Sequence, residues 1–160
     1  MKYRKIGSLV LACSVIGGCA TPPYVSPAGA AQAELKLVAS GGVFAGATIY
    51  EESESCRGMR SPGELIKVRE RIVSIPAGKP LSFSMESIGY EGGLTWAQCR
   101  IVLTFNPLAG HSYAAVYEHD GAPNQCTIRL IDTTASAPSP IEGRKRIFTP
   151  PATRNSPSCK

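Results

Sequence analysis

Between Glu34 and Ile131 apolar residues recur at every second position in short bursts, and glycine or proline cuts off most of them. Alternate side chains of a strand point to opposite faces, so this pattern suits half-buried strands and not helices. Glu34–Ala39 places Leu35, Leu37 and Ala39 on one side. Leu81–Met85, Ser112–Glu118 and Gln125–Ile131 follow the same rule, and Phe44–Glu52 is a further strand candidate with Ala47, Ile49 and the neighbouring Tyr50 as its apolar material. In Trp96–Phe105 the residues Cys99, Ile101, Leu103 and Phe105 share one face, with Arg100 and Thr104 on the other. Ser53–Gly63 and the glycine-rich Ser87–Gly93 read as loops. Glu64–Ser74 has two readings. Ser61-Pro62-Gly63-Glu64 would serve as a capping box with proline at the first helical position. The Val and Ile content favours a strand instead, expected over Lys67–Ile75. About seven short strands with no long helix predict an all-β antiparallel β-sandwich, immunoglobulin-like or transthyretin-like.

Cysteine placement tightens this expectation. Beyond the first twenty residues lie Cys56, Cys99, Cys126 and Cys159. Four thiols in an exported chain imply two disulfides, with three pairings open. In a flat meander Cys99 and Cys126 would flank a middle strand about 9–10 Å apart, too far to bond. If the chain changes sheets at Asn106–Gly110, both thiols point inward from opposite sheets and can meet. That route predicts Cys99–Cys126, and by default Cys56–Cys159. On the chain-entropy model the first bond would stabilise by roughly 3–4 kcal/mol.

The N-terminus supplies the reason to expect export. Lys2, Arg4 and Lys5 precede the uncharged apolar run Ile6–Ile16, a charged start and short greasy middle typical of a secretory leader. A spanning helix needs about 20 apolar residues, so the run is too short to remain as an anchor. It ends Ile16-Gly17-Gly18-Cys19. This ending resembles the lipobox of bacterial lipoproteins. The resemblance implies a diacylglycerol thioether on Cys19, cleavage before it, and a third acyl chain on the new amine. Two or three acyl chains make a durable anchor where one does not. An ordinary leader cut after Ala20 is the alternative. Ala20 stands where an aspartate would resemble an inner-membrane retention signal, which implies the outer membrane, facing the periplasm, in a two-membrane bacterium.

The chain then divides into a leader over 1–18, a lipidated Cys19 with a Pro- and Ala-rich flexible tether over 19–33, a sandwich over 34–134, and a Pro- and Ser-rich basic tail over 135–160. Three of the 17 basic residues leave with the leader; against 12 acidic residues the net charge falls from +5 to +2. In the tail Arg144, Lys145, Arg146, Arg154 and Lys160 face only Glu142. Arg144, Lys145 and Arg146 are candidates for contact with anionic lipid headgroups or cell-wall carboxylates. The other reading of the tail is a solvated segment, and Cys159 argues that it packs. No nucleic-acid recognition motif occurs.

Few residues fall in a pattern that chemistry would need. Gly110-His111-Ser112-Tyr113-Ala114 approaches a nucleophile elbow, but that motif needs a helix after the serine and a later histidine, and a β pattern follows here. No metal-ligand spacing or phosphate loop is present. Glu51, Glu52 and Glu54 read as a solvated acidic face rather than a glycosidase pair. Tyr50, Tyr90, Trp96, Tyr113 and Tyr117 suit the core better than a binding surface. As a whole, Phe105-Asn106-Pro107, Gly110, Tyr113 and Cys126 make the chain resemble small bacterial lipoproteins with a disulfide-bonded β domain. Phe105, Gly110 and Tyr113 are also similar to the immunoglobulin tyrosine corner, one residue out of step. These resemblances imply no activity. The expected role is that of a non-catalytic envelope protein without cofactor or metal. Its expected partners are the membrane, through the lipid, and an envelope protein or peptidoglycan, not nucleic acid.

Overall fold

The computed structural model describes residues 21–40, 44–65, 69–91, 94–119, 125–153 and 155–160. Among the described residues ten strands form: β1 (Gln32–Ser40), β2 (Phe44–Glu52), β3 (Arg57–Arg60), β4 (Glu70–Pro76), β5 (Leu81–Glu91), β6 (Leu94–Phe105), β7 (Ser112–His119), β8 (Cys126–Asp132), β9 (Ser139–Pro140) and β10 (Arg144–Arg146). They make two five-stranded sheets, β4-β1-β7-β8-β9 and β10-β6-β5-β2-β3. All pairs are antiparallel except β1 with β7, which run parallel with Leu35 beside Tyr113 and Leu37 beside Ala115. The β-sandwich expected from the alternation is therefore present, with ten strands rather than seven.

The inner faces bury one core. Leu35, Leu37, Ile75, Tyr113, Ala115 and Tyr117 come from the first sheet, and Ile49, Leu81, Phe83, Met85, Leu103 and Phe105 from the second. An aromatic stack bridges the layers: Phe105 lies edge-on to Phe83 at 6.0 Å and to Tyr113 at 5.2 Å. The chain crosses between sheets after β6, through Asn106–Gly110. There the Tyr113 hydroxyl accepts the backbone N–H of Leu108 at 2.9 Å, the kind of bond a tyrosine corner makes. Gly110 supplies the positive φ (76°) that the crossing requires.

Several boundaries differ from the sequence expectation, each for a backbone reason. The expected loop Ser87–Gly93 is instead mostly ladder: Tyr90 pairs with Thr95 and Glu91 with Leu94 across a bulge at Ser87/Ile88. Two consecutive glycines signal a two-residue hairpin as readily as a loop. The expected loop Ser53–Gly63 contains β3, whose Arg-Gly-Met-Arg sequence carries no alternation and which forms by pairing with β2. The strand expected over Lys67–Ile75 is β4, Glu70–Pro76, with Ile72 exposed; Ile66, Lys67 and Val68 lie outside the described residues.

The segment expected to be a free tether is held against the sandwich. Pro23 pairs in parallel with Ser61 just beyond β3. Tyr24 N–H donates to the Ser61 carbonyl at 2.7 Å, and Ser61 N–H donates to the Pro22 carbonyl at 2.8 Å. The Tyr24 hydroxyl and the Ser26 hydroxyl both donate to the Ser74 carbonyl on β4, at 3.1 and 2.6 Å. Residues 22–26 thus bridge the β3 edge of one sheet to the β4 edge of the other. Leu65, from the β3–β4 connection, is buried in the core, against which Tyr24 also packs.

Phe83 is fully buried and edge-on to Phe105 in the aromatic stack. Phe83→Ala is expected to cost about 3–5 kcal/mol through lost burial and the cavity left behind. Urea unfolding should show a lower midpoint with an unchanged slope.

Candidate functional site

Cys19, the expected lipid site, lies outside the described residues. The other cysteines form two bonds, Cys99–Cys126 and Cys56–Cys159, with Cα–Cα distances of 6.0 and 5.4 Å. Cys99 on β6 and Cys126 on β8 belong to opposite sheets, the arrangement that the crossing at Asn106–Gly110 permits. Cys56–Cys159 fastens the tail. Ile147 and Lys160 exchange backbone hydrogen bonds at 3.1 and 3.0 Å, and Ser158 N–H donates to the Ser55 carbonyl at 3.0 Å. The folded-back tail covers part of the outer face of the second sheet, where Tyr50, Cys56, Val102 and Cys159 make a second, smaller core flanked by Met59 and Phe148.

This cover explains why polar residues of that outer face are buried. Ser82 donates to the Ser53 carbonyl and bonds the Thr104 hydroxyl, both at 2.7 Å, and the Tyr50 hydroxyl donates to Ser84 at 3.1 Å. Burial raises the Tyr50 phenol above its ordinary pKa, an effect the Ser84 bond offsets in part. Arg100 pairs with Glu86 and lies 4.0 Å from the centroid of the Phe148 ring.

The three basic residues proposed for an anionic surface are not equivalent. Arg146 is turned inward, its side chain only 7% exposed. Its guanidinium donates to the carbonyls of Ser53, Glu54 and Lys160 and to the Thr104 hydroxyl. Arg144 donates twice to the Glu54 carboxylate, at 3.0 and 3.1 Å. Only Lys145 of the three stays exposed with no ion pair among the described residues. The cationic run is thus chiefly a clamp for β10. The acidic cluster is likewise engaged: Glu51 pairs with Arg60, Glu52 with Arg57 and Glu54 with Arg144.

A further polar cluster joins β7 to β8. His111 Nδ1 and Asp132 Oδ2 are 2.7 Å apart, and Thr134 N–H donates to Asp132 Oδ1 at 2.8 Å. The Thr134 bonds first, then His111, hold the Asp132 carboxyl down at about 2. Nearby hydroxyls serve the backbone: the Thr134 hydroxyl accepts Ser112 N–H at 2.9 Å and that of Thr133 donates to the Ser112 carbonyl at 3.1 Å. The cluster ties the start of β7 to the end of β8. Ser112 opens a strand, so the strand–turn–helix of a nucleophile elbow is not formed there. Tyr50, Tyr113 and Tyr117 are buried, as core residues should be; the side chains of Tyr90 and Trp96 lie outside the description.

The feature that sequence reasoning missed is a groove of about 410 Å³ beside the N-terminal segment. Tyr24, Val25 and Pro27 form one wall, and Ile49, Pro76 and Leu81 are among the residues opposite. Its lining also includes Glu51, Arg60 and Lys79. Such a space suits a small apolar molecule or an acyl chain. Nothing in the Pro- and Ala-rich composition of residues 20–33 announced it, because the groove exists only once that segment docks. Among the described residues no three His, Cys, Asp or Glu side chains converge as a metal site. No protein-family model, curated protein or solved structure matches this chain.

Two outcomes follow. Arg146→Gln should destabilise the fold by about 1.5–3 kcal/mol, the usual range for a hydrogen bond to a charged group, whereas Lys145→Gln should change thermal unfolding by less than about 0.5 kcal/mol. For Asp132, the depressed value means that the ionised form favours the folded state. Its contribution is complete above the unfolded pKa near 4 and is lost as pH falls toward about 2. The stability gap between wild type and Asp132→Asn should narrow across that interval in thermal unfolding.

Proposed function

We propose that this chain is a lipid-anchored cell-envelope protein with a structural or protein-interaction role, on the outer membrane and facing the periplasm. The observation that carries the reading is the run from Lys2 to Cys19: a cationic start, eleven uncharged residues ending at Ile16, then Gly17-Gly18-Cys19. The two disulfides support it, since such bonds persist in oxidising compartments. The polar clusters support a non-catalytic role, because their hydroxyls and cations are spent on strand register and tail docking. A second reading, a small-ligand module, is favoured by the groove beside Tyr24 and Val25. A peptidoglycan module acting through Arg144, Lys145 and Arg146 has less support, since two of the three are engaged within the protein.

Cross-linking in intact cells with mass spectrometry, comparing wild type with Cys19→Ser, tests the proposal. The expected result is a membrane-fraction protein with one dominant protein partner, both lost in the variant. A variant that fractionates like wild type would refute the lipid anchor. An anchored protein without any protein partner would instead favour the ligand-module reading.

A further inference from the structure

Resting on the lipid anchor proposed above, we infer that the β3–β4 flank of the sandwich, with the docked segment Pro22–Ser26, lies directly on the membrane surface. The reach of the chain between lipid and domain sets this posture. A free tether over residues 20–33 would span up to roughly 45–50 Å and leave the domain's orientation open. The chain is not free over that length. Backbone bonds of 2.7 and 2.8 Å join Pro22 and Tyr24 to Ser61, and the Tyr24 and Ser26 hydroxyls hold the Ser74 carbonyl. Only the three residue steps from Cys19 to Pro22 remain to separate lipid from folded body. Three residues reach about 10 Å at full extension. A diacylglycerol on the Cys19 sulfur sits at the headgroup layer, itself only about 5–8 Å thick in each leaflet.

The flank that this link pulls down has a fitting surface. Val25 is 77% exposed on the docked segment, an apolar side chain pointing away from the core. Tyr24 is part-buried next to it, and tyrosine favours the boundary between apolar and aqueous phases. Lys79, exposed in the β4–β5 turn and part of the groove lining, adds a cation on the same flank for anionic headgroups. The opposite edge of the second sheet, β10 with Lys145, would then face away from the bilayer. Contact with a partner protein would be confined to the surfaces that this posture leaves free.

The test uses the full chain expressed in a lipidating bacterium and reconstituted into vesicles of phosphatidylethanolamine and phosphatidylglycerol. Mass spectrometry of the N-terminal peptide first reports the modification of Cys19. Val25→Trp and Lys145→Trp are then compared with wild type, which carries Trp96, in vesicles containing shallowly brominated phosphatidylcholine. Loss of the added emission is expected for Val25→Trp and not for Lys145→Trp. A Gly/Ser spacer of about 20 residues between Ala20 and Thr21, reaching roughly 25 Å, should abolish the quenching. Acylated Cys19 with Val25→Trp unquenched would overturn the surface contact and leave the anchor standing. Quenching that survives the spacer would overturn the short link as its cause. An unmodified Cys19 would overturn the anchor, and the posture with it.

Discussion

A sandwich of two five-stranded sheets solves one problem and leaves another. Facing the sheets buries Leu35, Leu37, Phe83, Phe105, Tyr113 and Tyr117 in a single core. It also leaves four strand edges and two outer faces, each with backbone or side-chain groups that water or another chain would otherwise meet. Much in this protein answers that constraint. Both terminal segments are used as cover. Pro22–Ser26 crosses from the β3 side to the β4 side, β10 lines the β6 edge of the second sheet, and residues 147–153 and 155–160 fold back with Phe148 and Cys159 against that sheet's outer face.

The two disulfides fit this division of labour. Cys99–Cys126 joins the sheets themselves, by linking β6 to β8. Cys56–Cys159 spans a sequence separation of 103 residues and fixes the cover to the sheet. Cross-linking so distant a pair removes more unfolded-state entropy than the shorter loop does, about 4.7 against 3–4 kcal/mol on the chain-entropy model. Cys56 itself sits at a positive φ of 50°, unusual for a residue with a side chain. The surrounding bonds hold it there: Ser158 bonds the carbonyls of Ser55 and Cys56, and Arg146 reaches the carbonyls of Ser53 and Glu54. The turn, the tail and the arginine are one unit.

This coupling marks what the sequence could and could not disclose. Strands whose side chains alternate between core and solvent, such as β1 and β7, were legible because burial itself wrote the pattern. The crossing after β6 was legible because Asn106–Gly110 concentrates breakers and because two thiols had to meet. β3, β9 and β10 were not legible, since they are short and held by pairing with a neighbour rather than by a buried face of their own. Arg146 was misleading for a related reason. An arginine within Arg-Lys-Arg looks like a surface charge until the fold supplies carbonyls at the right distance, and no local signal encodes those.

The N-terminal segment is the sharpest case. Proline and alanine without charge describe a linker when read alone, and composition gives such a segment no partner. Here the partners are the Ser61 carbonyl just beyond β3 and the Ser74 carbonyl on β4, at edges of opposite sheets that come together only after both sheets form. Docking there changes what a lipid at Cys19 would do mechanically. A long leash holds a protein in a membrane without choosing which face meets it, because the ends of a flexible chain explore all orientations. A link of three residues to a fixed point chooses the face. The same hydrogen bonds that close the side of the sandwich would thereby set its posture on the bilayer, and Tyr24, Val25 and Lys79 lie on the side so chosen.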